Sequence, residues 1–522
     1  KGMKNIKTLA DVTRIHAQEK GDASALLSAD DGREWTYAEL DKQANLVANA
    51  LVDAGIRPGD RIAYLDRNAP EYFIFLLGGA KVNAVSVAVN WRLANEEMEY
   101  ILNHSEATVL LIGEEYLPAL REMNLSAIES VVVIGDPGES GHPTFDQWLV
   151  GRAVTDPNVQ ILPEDTCYQL YTSGTTGLPK GVELTHSNFM HCMRDSLVAT
   201  KMTGDSVNLI CMPLFHISGS GWGVVGLFNG ARSILLRDVD LGAILRLIPQ
   251  FGITHSLFVP AVLQFLLAEE ACRETDLSSL QSIVYGASPI TEAVLIDAMQ
   301  TFGCEFVQVY GLTETTGGIS VLEHSDHDPE GSRSHLLRSC GKAISTHNIK
   351  ILDQDSGEEM PEGEVGEICV AGPQVMKSYW KNEKATNDSF INGWFRTGDA
   401  GYLNDGYLYI HDRVKDMVIS GGENIYPAEI ENVLMRHPLV SDCAVIGVPS
   451  DRWGETVKAI VTRTDESLSE KVLIEHCRKS LAGYKCPTSV DWMAEIPRNP
   501  SGKILKVELR KPYWQGKSRH VS

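Results

Sequence analysis

The stretch Tyr171–Gly181 reads Y-T-S-G-T-T-G-L-P-K-G, and it decides most of what the sequence predicts. Glycine lets the backbone approach an anion and turn its N–H groups inward, while the hydroxyls add donors and Lys180 adds a mobile positive charge. The pattern therefore predicts a loop that grips a polyphosphate. The residues expected to bind it are Thr172, Ser173, Gly174, Thr175, Thr176, Gly177 and Lys180.

Two ordinary alternatives to this loop fit the sequence less well. A Gly/Ser/Thr surface turn is disfavoured, because the apolar run Cys167–Tyr171 precedes the stretch and a helix with N-cap candidates at Thr185–Asn188 follows it, running to about Val198. The common P-loop pattern G-x-x-x-x-G-K-[ST] also fails, because Lys180 follows a proline and precedes a glycine.

Short β-branched runs alternate with helical patterns through the first four hundred residues. Such alternation predicts a doubly wound α/β fold, with parallel sheets between helices and ligands at the carboxyl ends of the strands. The glycine-rich stretch and Tyr310 both lie at such ends. The runs expected as strands are Ser206–Met212, Ser233–Leu236, His255–Val259, Ser282–Tyr285 and Glu305–Tyr310.

The pattern changes after residue 412. A helix from Pro427, with proline in its first turn, precedes further strands and one more helix, which predicts a compact α+β domain. We therefore expect a large domain over residues 1–412 and a small one over residues 413–522. The later elements are expected at Asp442–Val448, Thr456–Thr462, Leu468–Leu481 and Ser489–Ala494.

Composition is that of an ordinary globular protein, with 522 residues, 43% of them hydrophobic and 22% charged. The length predicts two or more cores. A formal net charge of −23 opposes binding to nucleic acid and anionic membranes. Ten cysteines without a C-x-x-C pair predict reduced thiols in a cytoplasmic protein, without disulfides or a zinc site.

No secretory signal or membrane span is expected. Lys1–Lys20 lacks a continuous apolar core. The most apolar stretch, Tyr72–Val89, is interrupted by Lys81 and is better interpreted as a helix that leads into a buried strand at Ala84–Val89. The basic end of the chain, Lys503–Ser522, is expected to be a solvated helix and tail with at most peripheral membrane contact.

Further motifs follow the glycine-rich stretch in a fixed order. They are Y-G-L-T-E at Tyr310–Glu314, W-F-R-T-G-D at Trp394–Asp399, D-R-V-K-D at Asp412–Asp416, G-G-E-N-I-Y-P at Gly421–Pro427 and P-S-G-K at Pro500–Lys503. In order and spacing this set resembles the adenylate-forming family of acyl-CoA synthetases, luciferases and nonribosomal adenylation domains. The resemblance implies an AMP-binding and acyl-binding N-terminal domain with a β-rich subdomain, and a mobile C-terminal domain that carries a catalytic lysine.

The resemblance implies an AMP-forming acid–thiol ligase. A carboxylate is a poor acylating agent, so the acid first displaces pyrophosphate from ATP, and CoA then displaces AMP to give acyl-CoA. Because both substrates of the first step are anions, catalysis is mainly positioning and charge neutralisation. ATP and CoA are the expected co-substrates, Mg2+ the expected cofactor and a small carboxylic acid the expected partner.

Residue roles are carried over from the family motifs. Glu314, with Thr172, would hold Mg2+, and Lys503 would lie over the α-phosphate and the carboxylate oxygen. The other residues expected around the nucleotide are Thr313 at the α-phosphate, Asp399 at the ribose with Arg413 beside it, Tyr310 near adenine, and Gly286, Ala287, Ser288 and Gly311. Taken singly, Glu314 could cap backbone donors, Asp399 could fix the Gly398 turn and Lys503 could be solvated.

The thiol-transfer step needs a movement, since one pocket cannot hold both Lys503 and a pantetheine arm. Lys415 matches the family's hinge position. Rotation there would withdraw Lys503 and bring Gly421, Gly422 and Glu423 to a pantetheine tunnel. A simple hairpin with a Gly-Gly turn is compatible with the same residues.

The acyl pocket rests on weaker signals. His216 matches a position beside the acyl group, although a core histidine satisfied by backbone is a fair rival. Acetate-specific relatives resemble one another in placing tryptophan at the position of Gly311, so glycine predicts a medium-to-long or ring-bearing acid. The other glycines expected to leave a tunnel open are Gly219, Gly221, Gly223 and Gly286.

Several other functions share part of these signals. The G-x-G-x-x-G match at Gly221–Gly226 is interpreted as accidental, which leaves a nicotinamide-dependent oxidoreductase as a weak rival. A non-catalytic nucleotide-binding regulator would be expected to have lost Lys503 or Glu314, and both are present. A ligase that loads a separate carrier protein and a luciferase-like oxygenase stay open as alternatives, and a homodimer is compatible with the sequence.

Overall fold

The structure is a computed structural model that describes residues 2–172, 178–288, 290–420, 423–481, 483–499 and 502–517. Its strands are β1 (Ser24–Ser28), β2 (Glu34–Thr36), β3 (Arg61–Leu65), β4 (Val85–Ala88), β5 (Val109–Gly113), β6 (Ser130–Ile134), β7 (Thr166–Thr172), β8 (Lys180–Thr185), β9 (Val207–Ile210), β10 (Arg232–Leu235), β11 (His255–Phe258), β12 (Ser282–Gly286), β13 (Glu305–Leu312), β14 (Gly317–Leu322), β15 (Lys342–Ala343), β16 (Asn348–Leu352), β17 (Gly366–Ala371), β18 (Ser378–Tyr379), β19 (Phe390–Ile391), β20 (Trp394–Asn404), β21 (Tyr407–Arg413), β22 (Val418–Ser420), β23 (Glu423–Ile425), β24 (Val440–Ser450), β25 (Gly454–Arg463) and β26 (Ser489–Trp492).

The α-helices are α1 (Asp11–Lys20), α2 (Tyr37–Asp53), α3 (Pro70–Lys81), α4 (Asn95–Ser105), α5 (Leu117–Arg121), α6 (Phe145–Leu149), α7 (His186–His191), α8 (Ile217–Phe228), α9 (Leu241–Phe251), α10 (Pro260–Ala268), α11 (Glu270–Glu274), α12 (Glu292–Phe302), α13 (Glu383–Asp388), α14 (Pro427–Met435), α15 (Glu470–Arg478) and α16 (Lys506–Arg510). Within the described ranges, no helix combines the length and the apolar character needed to cross a bilayer.

Two mostly parallel sheets form the larger part of the molecule, which confirms the predicted fold class. One has the strand order β18-β8-β7-β4-β3-β5-β6, and the other β15-β14-β13-β12-β11-β9-β10-β1-β2. The five runs predicted as strands are β9 to β13, and their apolar side chains are buried because helices cover the sheets. Both the glycine-rich stretch and Tyr310 lie at or near the carboxyl end of a strand.

The apolar stretch from Tyr72 to Val89 is a buried helix and strand, as predicted. Helix α3 begins with proline, a residue whose missing N–H costs nothing in a first turn. Its last residue, Lys81, is fully buried, and its Nζ lies 2.7 Å from a carboxylate oxygen of both Asp41 and Asp156. The charge is thus neutralised inside the protein rather than at a membrane surface.

A third sheet is antiparallel, with the order β16-β17-β20-β19 and β21 beside β20, and it is the expected β-rich subdomain. Its long strands β20 and β21 bring Asp399 opposite Arg413. The residues that follow form the fourth sheet, β22 to β26, with helices α14 to α16. This part has apolar cores of its own, as expected for a small α+β unit.

Helix α7 begins where the sequence predicts. Thr185 caps it, since its hydroxyl accepts from the backbone N–H of Asn188 and the Asn188 side chain accepts from the N–H of Thr185. The chain continues as a π-type turn over Cys192–Ser196, close to the predicted end of the helix. The G-x-G-x-x-G match lies inside helix α8 rather than at a helix start, so it lacks the geometry of a dinucleotide site.

Candidate active site

Strands β7 and β8 hold the two ends of the glycine-rich stretch. They pair antiparallel, with Thr172 opposite Lys180. Ser173, Gly174, Thr175, Thr176 and Gly177 lie outside the described residues, so their predicted phosphate contacts stay a prediction. The ammonium of Lys180 lies 4.7 Å from the ring centre of Tyr379, an aromatic residue of β18 that pairs with β8.

Tyr379 connects this strand pair to Glu314. Its hydroxyl donates to Glu314 Oε2 at 2.8 Å, and the backbone N–H of Met376 donates to the Glu314 carbonyl at 2.7 Å. Burial, with the Glu314 charge, raises the pKa of Tyr379, so the phenol stays a donor. Tyr379 was not predicted from the sequence, because it belongs to none of the motifs and meets Glu314 only through β18.

Tyr310 and Asp399 form a second polar pair. The Tyr310 hydroxyl donates to Asp399 Oδ2 at 2.6 Å, and burial, together with that carboxylate, raises the pKa of Tyr310. Asp399 is only 8% exposed, and Arg413 lies opposite it across β20 and β21. Gly398 beside it has φ +74°, so the alternative role of Asp399 next to a turn glycine is also compatible with the structure.

Lys503 lies against the larger part of the molecule. Gly502, with φ +87°, lets this segment approach helix α10, because a Cβ on Gly502 would come within 2.9 Å of Val259 Cγ2. The Lys503 N–H donates to Asn499 Oδ1 at 2.9 Å. Burial and the charge of Arg413 lower the pKa of the Lys503 ammonium to about 8, while Asp399 and Glu314 act in the opposite direction. The lysine thus lies within the electrostatic reach of three predicted site residues.

His216 is oriented by the start of helix α8. Its Nδ1 accepts the backbone N–H of Ser218 at 3.1 Å, so the proton of the neutral ring is on Nε2. Burial, and then the charge of Lys503, lowers the pKa of His216 to about 4. The rival interpretation, a histidine satisfied by backbone, therefore applies to Nδ1, while the charge of Lys503 acts on the ring.

The glycines of the expected acyl tunnel have reasons of their own to be glycine. A Cβ on Gly311 would come within 1.8 Å of the Gly317 carbonyl oxygen, and one on Gly286 within 2.2 Å of the Val309 carbonyl oxygen. A Cβ on Gly219 would likewise come within 2.2 Å of the Pro213 carbonyl oxygen, and one on Gly223 within 2.4 Å of the Phe73 ring, whereas one on Gly221 would make ordinary contacts. Close packing is thus a second reason for glycine at these four positions, and the acyl pocket remains a prediction.

Ala287 follows strand β12 in an unusual conformation. Its φ is +70°, a region that costs a residue with a side chain about 1 kcal/mol or more. Such strain collects at functional sites, and this residue lies in the predicted nucleotide motif with Ser288 after it. The strain is compatible with a role for this segment in binding.

The segment around Lys415 joins the two parts of the molecule. Burial, and then the charge of Arg413, lowers the pKa of Lys415 to about 8. Asp412 accepts the N–H of Ala428 at 3.2 Å and lies 3.4 Å from Lys506 Nζ, both in the C-terminal part. Glu423 pairs with Ser420 across β22 and β23, which fits the hairpin interpretation, while Gly421 and Gly422 lie outside the described residues.

The residues around Glu314 fit Mg2+ better than a metal held by protein alone. In the part of the chain that the structure describes, no three His, Cys, Asp or Glu side chains converge as a metal site. Mg2+ usually takes one or two carboxylates and completes its shell with substrate phosphates and water. The single carboxylate of Glu314, beside strands β7 and β8 and the glycine-rich stretch, suits a Mg2+ ion whose other ligands are phosphates and water.

Comparison with known proteins finds related enzymes that align with nearly the whole chain. A family model described as AMP-binding enzyme matches residues 13–380, and one described as AMP-binding enzyme C-terminal domain matches residues 429–503. The fatty acid–[acyl-carrier-protein] ligase ScoC of Streptomyces coeruleorubidus is 39% identical over 99% of this chain and 98% of its own length. The feruloyl-CoA synthase of an Amycolatopsis species is 39% identical over 92% of this chain and 94% of its own length. The crystal structure of the anthranilate CoA ligase AuaEII with anthranoyl-AMP superposes with a TM-score of 0.89 at 28% identity, over 97% of each chain.

Proposed function

Since this chain belongs to the AMP-binding enzyme family, and within it to the adenylate-forming acid–thiol ligases, we propose that it converts a carboxylic acid, ATP and CoA into acyl-CoA, AMP and pyrophosphate. The acid would attack the α-phosphate of ATP and release pyrophosphate. The thiol of CoA would then attack the acyl carbonyl and release AMP.

The observation that carries this proposal is the position of Lys503. Its side chain comes from the C-terminal part, yet the charges of Arg413, Asp399 and Glu314 all contribute to the pKa of its ammonium. An ammonium there would neutralise the negative charge that gathers where a carboxylate meets a triphosphate. His216, neutral with a proton on Nε2, would offer a hydrogen bond to the acid in the same region.

Mg2+ is the cofactor proposed for this site, with Glu314 and Thr172 as its protein ligands. When bound, it would neutralise phosphate charge. Tyr379 holds one Glu314 oxygen through its hydroxyl, so the carboxylate keeps one orientation. Asp399, held by Tyr310, would accept hydrogen bonds from the ribose hydroxyls.

A panel of acids tests the proposal directly. Purified protein with Mg2+ and ATP is given acetate, medium- and long-chain fatty acids, and ring-bearing acids, and pyrophosphate release is followed for each acid. We propose medium-to-long or ring-bearing acids as substrates, and the fatty-acid and feruloyl specificities in the names of the two relatives are consistent with either class. Absence of pyrophosphate with every acid would refute adenylation.

The thiol acceptor has a second candidate. The relative ScoC is named as a ligase for an acyl carrier protein and aligns with nearly the whole chain. A carrier protein presents the same pantetheine thiol as CoA, so the chemistry would be unchanged. Offering CoA and a holo-carrier protein separately to the enzyme with its best acid distinguishes the two, because only the true acceptor gives a thioester at a substantial rate.

The charge of Lys503 predicts a pH dependence of the first step. The ammonium is the active form, and its pKa in the free enzyme is about 8. We therefore expect kcat/KM for ATP in pyrophosphate release to fall as the pH rises through that value, since this parameter reports the free enzyme. In Lys503→Arg the residual activity should lack this alkaline limb, because a guanidinium stays charged. A wild-type profile that is flat through this range would contradict the assignment.

Lys415 is the proposed hinge for the second step. Lys415→Pro restricts φ at this position, so the C-terminal part should no longer rotate freely about it. We expect acyl-AMP formation to be retained and CoA transfer to slow, by about tenfold or more if rotation limits the step. Single-turnover assays of each half-reaction measure the two rates. An unchanged rate of thioester formation would count against rotation at Lys415, and Lys415→Ala is the control for loss of the side chain alone.

A further inference from the structure

A directional chain of hydrogen bonds lies at the base of strands β7 and β8, the end of the pair where Tyr171 is opposite Gly181. Of its members, only Tyr171 belongs to a family motif. It starts at Arg61, whose Nη2 donates to Glu183 at 2.6 Å and whose Nε donates to Gln169 Oε1 at 3.2 Å. Because a guanidinium only donates, the amide oxygen of Gln169 faces Arg61 and the amide nitrogen faces the other way. That nitrogen donates to the hydroxyl oxygen of Tyr171 at 3.0 Å.

The direction of this chain indicates where the proton of His104 lies. The Tyr171 oxygen accepts from Gln169, and its own hydrogen is available to donate to His104 Nδ1, which lies 2.7 Å away. A ring nitrogen that accepts carries no proton, and His104 is therefore neutral with its proton on Nε2. Burial, and then repulsion by Lys381, lowers the pKa of His104, which favours the same neutral form.

Trp380 contacts both His104 and Gly181, the residue of β8 that is opposite Tyr171. Its indole Nε1 donates to the His104 carbonyl at 3.1 Å, its backbone N–H donates to the Gly181 carbonyl at 2.7 Å, and its ring lies 3.6 Å from the Arg61 guanidinium carbon. Gly181 is opposite Tyr171 in the strand pair. A Cβ on Gly181 would come within 3.0 Å of Tyr171 Cζ, so the tyrosine ring lies directly across the glycine.

These contacts hold the first and last residues of the glycine-rich stretch, Tyr171 and Gly181. Tyr171 directly precedes Thr172, and Gly181 directly follows Lys180. We propose that His104 is a positioning residue for the nucleotide: by accepting the hydrogen bond of Tyr171, it holds the base of β7 and β8 in the arrangement that binds the triphosphate. The inference rests on the proposed phosphate-binding role of Thr172–Lys180, and His104 acts through Tyr171 rather than on the reacting atoms.

Acid should weaken this arrangement. Protonation would place a hydrogen on Nδ1, facing the Tyr171 hydroxyl, and the hydroxyl would lose its acceptor. The groups around His104 are Tyr171 on β7, Lys381 after β18, Glu106 at the end of α4, and Tyr100 on α4, whose ring stacks at 5.4 Å. Because the pKa of His104 lies below the ordinary histidine value, His104 should leave ATP affinity unchanged near neutral pH and weaken it in acid.

Direct binding of ATP tests the proposal without any acid substrate. Calorimetric titration with ATP and Mg2+ is performed on the wild type, on His104→Phe, which removes the acceptor, and on His104→Asn, whose amide oxygen can take the place of Nδ1. We expect the Kd of His104→Phe to rise about fivefold, the effect of one buried hydrogen bond. His104→Asn should bind like the wild type near neutral pH and should lack the loss of affinity in acid.

A second set of variants separates positioning from packing. Tyr171→Phe should weaken ATP binding as much as His104→Phe, and the double variant should be no weaker than either, because the two residues act as one unit. Wild-type affinity in His104→Phe would overturn the inference, as would a His104→Asn variant as weak as His104→Phe. If His104→Phe does not fold, His104→Asn and the wild-type pH profile still decide. Failure of the wild type to bind ATP would instead overturn the proposed function.

Discussion

Lys503→Ala should lower acid-dependent pyrophosphate release by about 100- to 1,000-fold, the usual effect of removing a preorganised charge from a transition state. The charges of Arg413, Asp399 and Glu314 all act on this ammonium, and an alanine side chain cannot replace its positive charge. The same variant should still convert supplied acyl-AMP and CoA into acyl-CoA at a measurable rate, because the lysine is proposed to act only in the first step. Separate assays of the two half-reactions give both rates.

Lys511→Ala is the matched control for this variant. Lys511 lies in the same C-terminal segment but is exposed and pairs with Glu508, so its loss should leave both half-reactions unchanged. Equal loss of the two half-reactions in Lys503→Ala, at an unchanged melting temperature, would contradict the assignment of the lysine to adenylation.

Glu314→Gln should reduce pyrophosphate release by about 100-fold and raise the Mg2+ concentration needed for half-maximal rate, because the amide removes a charged metal ligand. The amide oxygen can still accept the hydroxyl of Tyr379, so the local fold should be retained. A Mg2+ titration of the initial rate, at saturating ATP and acid, measures the shift.

Two further variants serve as controls for Glu314→Gln. Glu323→Gln, on an exposed side chain after β14, carries the same charge change and should behave as the wild type. Tyr379→Phe removes the hydrogen bond to Glu314 but keeps the carboxylate, so its effect should be smaller than that of Glu314→Gln. A Glu314→Gln enzyme with wild-type Mg2+ dependence would rule out a metal role for this carboxylate.

Elements with strong local patterns were predictable from the sequence. Strands β9 to β13 and helices α3, α7 and α14 lie close to the expected runs, since periodicity and capping depend on residues within one or two turns of each other. The helix between β25 and β26 was predicted longer than it is: the expected run Leu468–Leu481 contains α15, Glu470–Arg478. Helix ends are set by caps and tertiary contacts that a periodic pattern does not contain.

The glycines illustrate a pattern that has more than one physical cause. Gly311 and Gly286 were interpreted as space for an acid, but a Cβ at either would meet a backbone carbonyl of a neighbouring strand. A missing side chain therefore has two possible causes, and only the position of the next strand distinguishes them.

The sequence by itself determined the family, the order of the motifs and the alternation that makes the sheets parallel, because each of these depends on residue identities along the chain. The tertiary structure alone decided which side chains support the motifs. Tyr379 meets Glu314 across 65 positions of the chain, and Trp380 meets His104 across 276. Hydrogen bonds of this kind depend on the distance between two folded elements and on the direction of donor and acceptor, and neither quantity has a local pattern in the sequence.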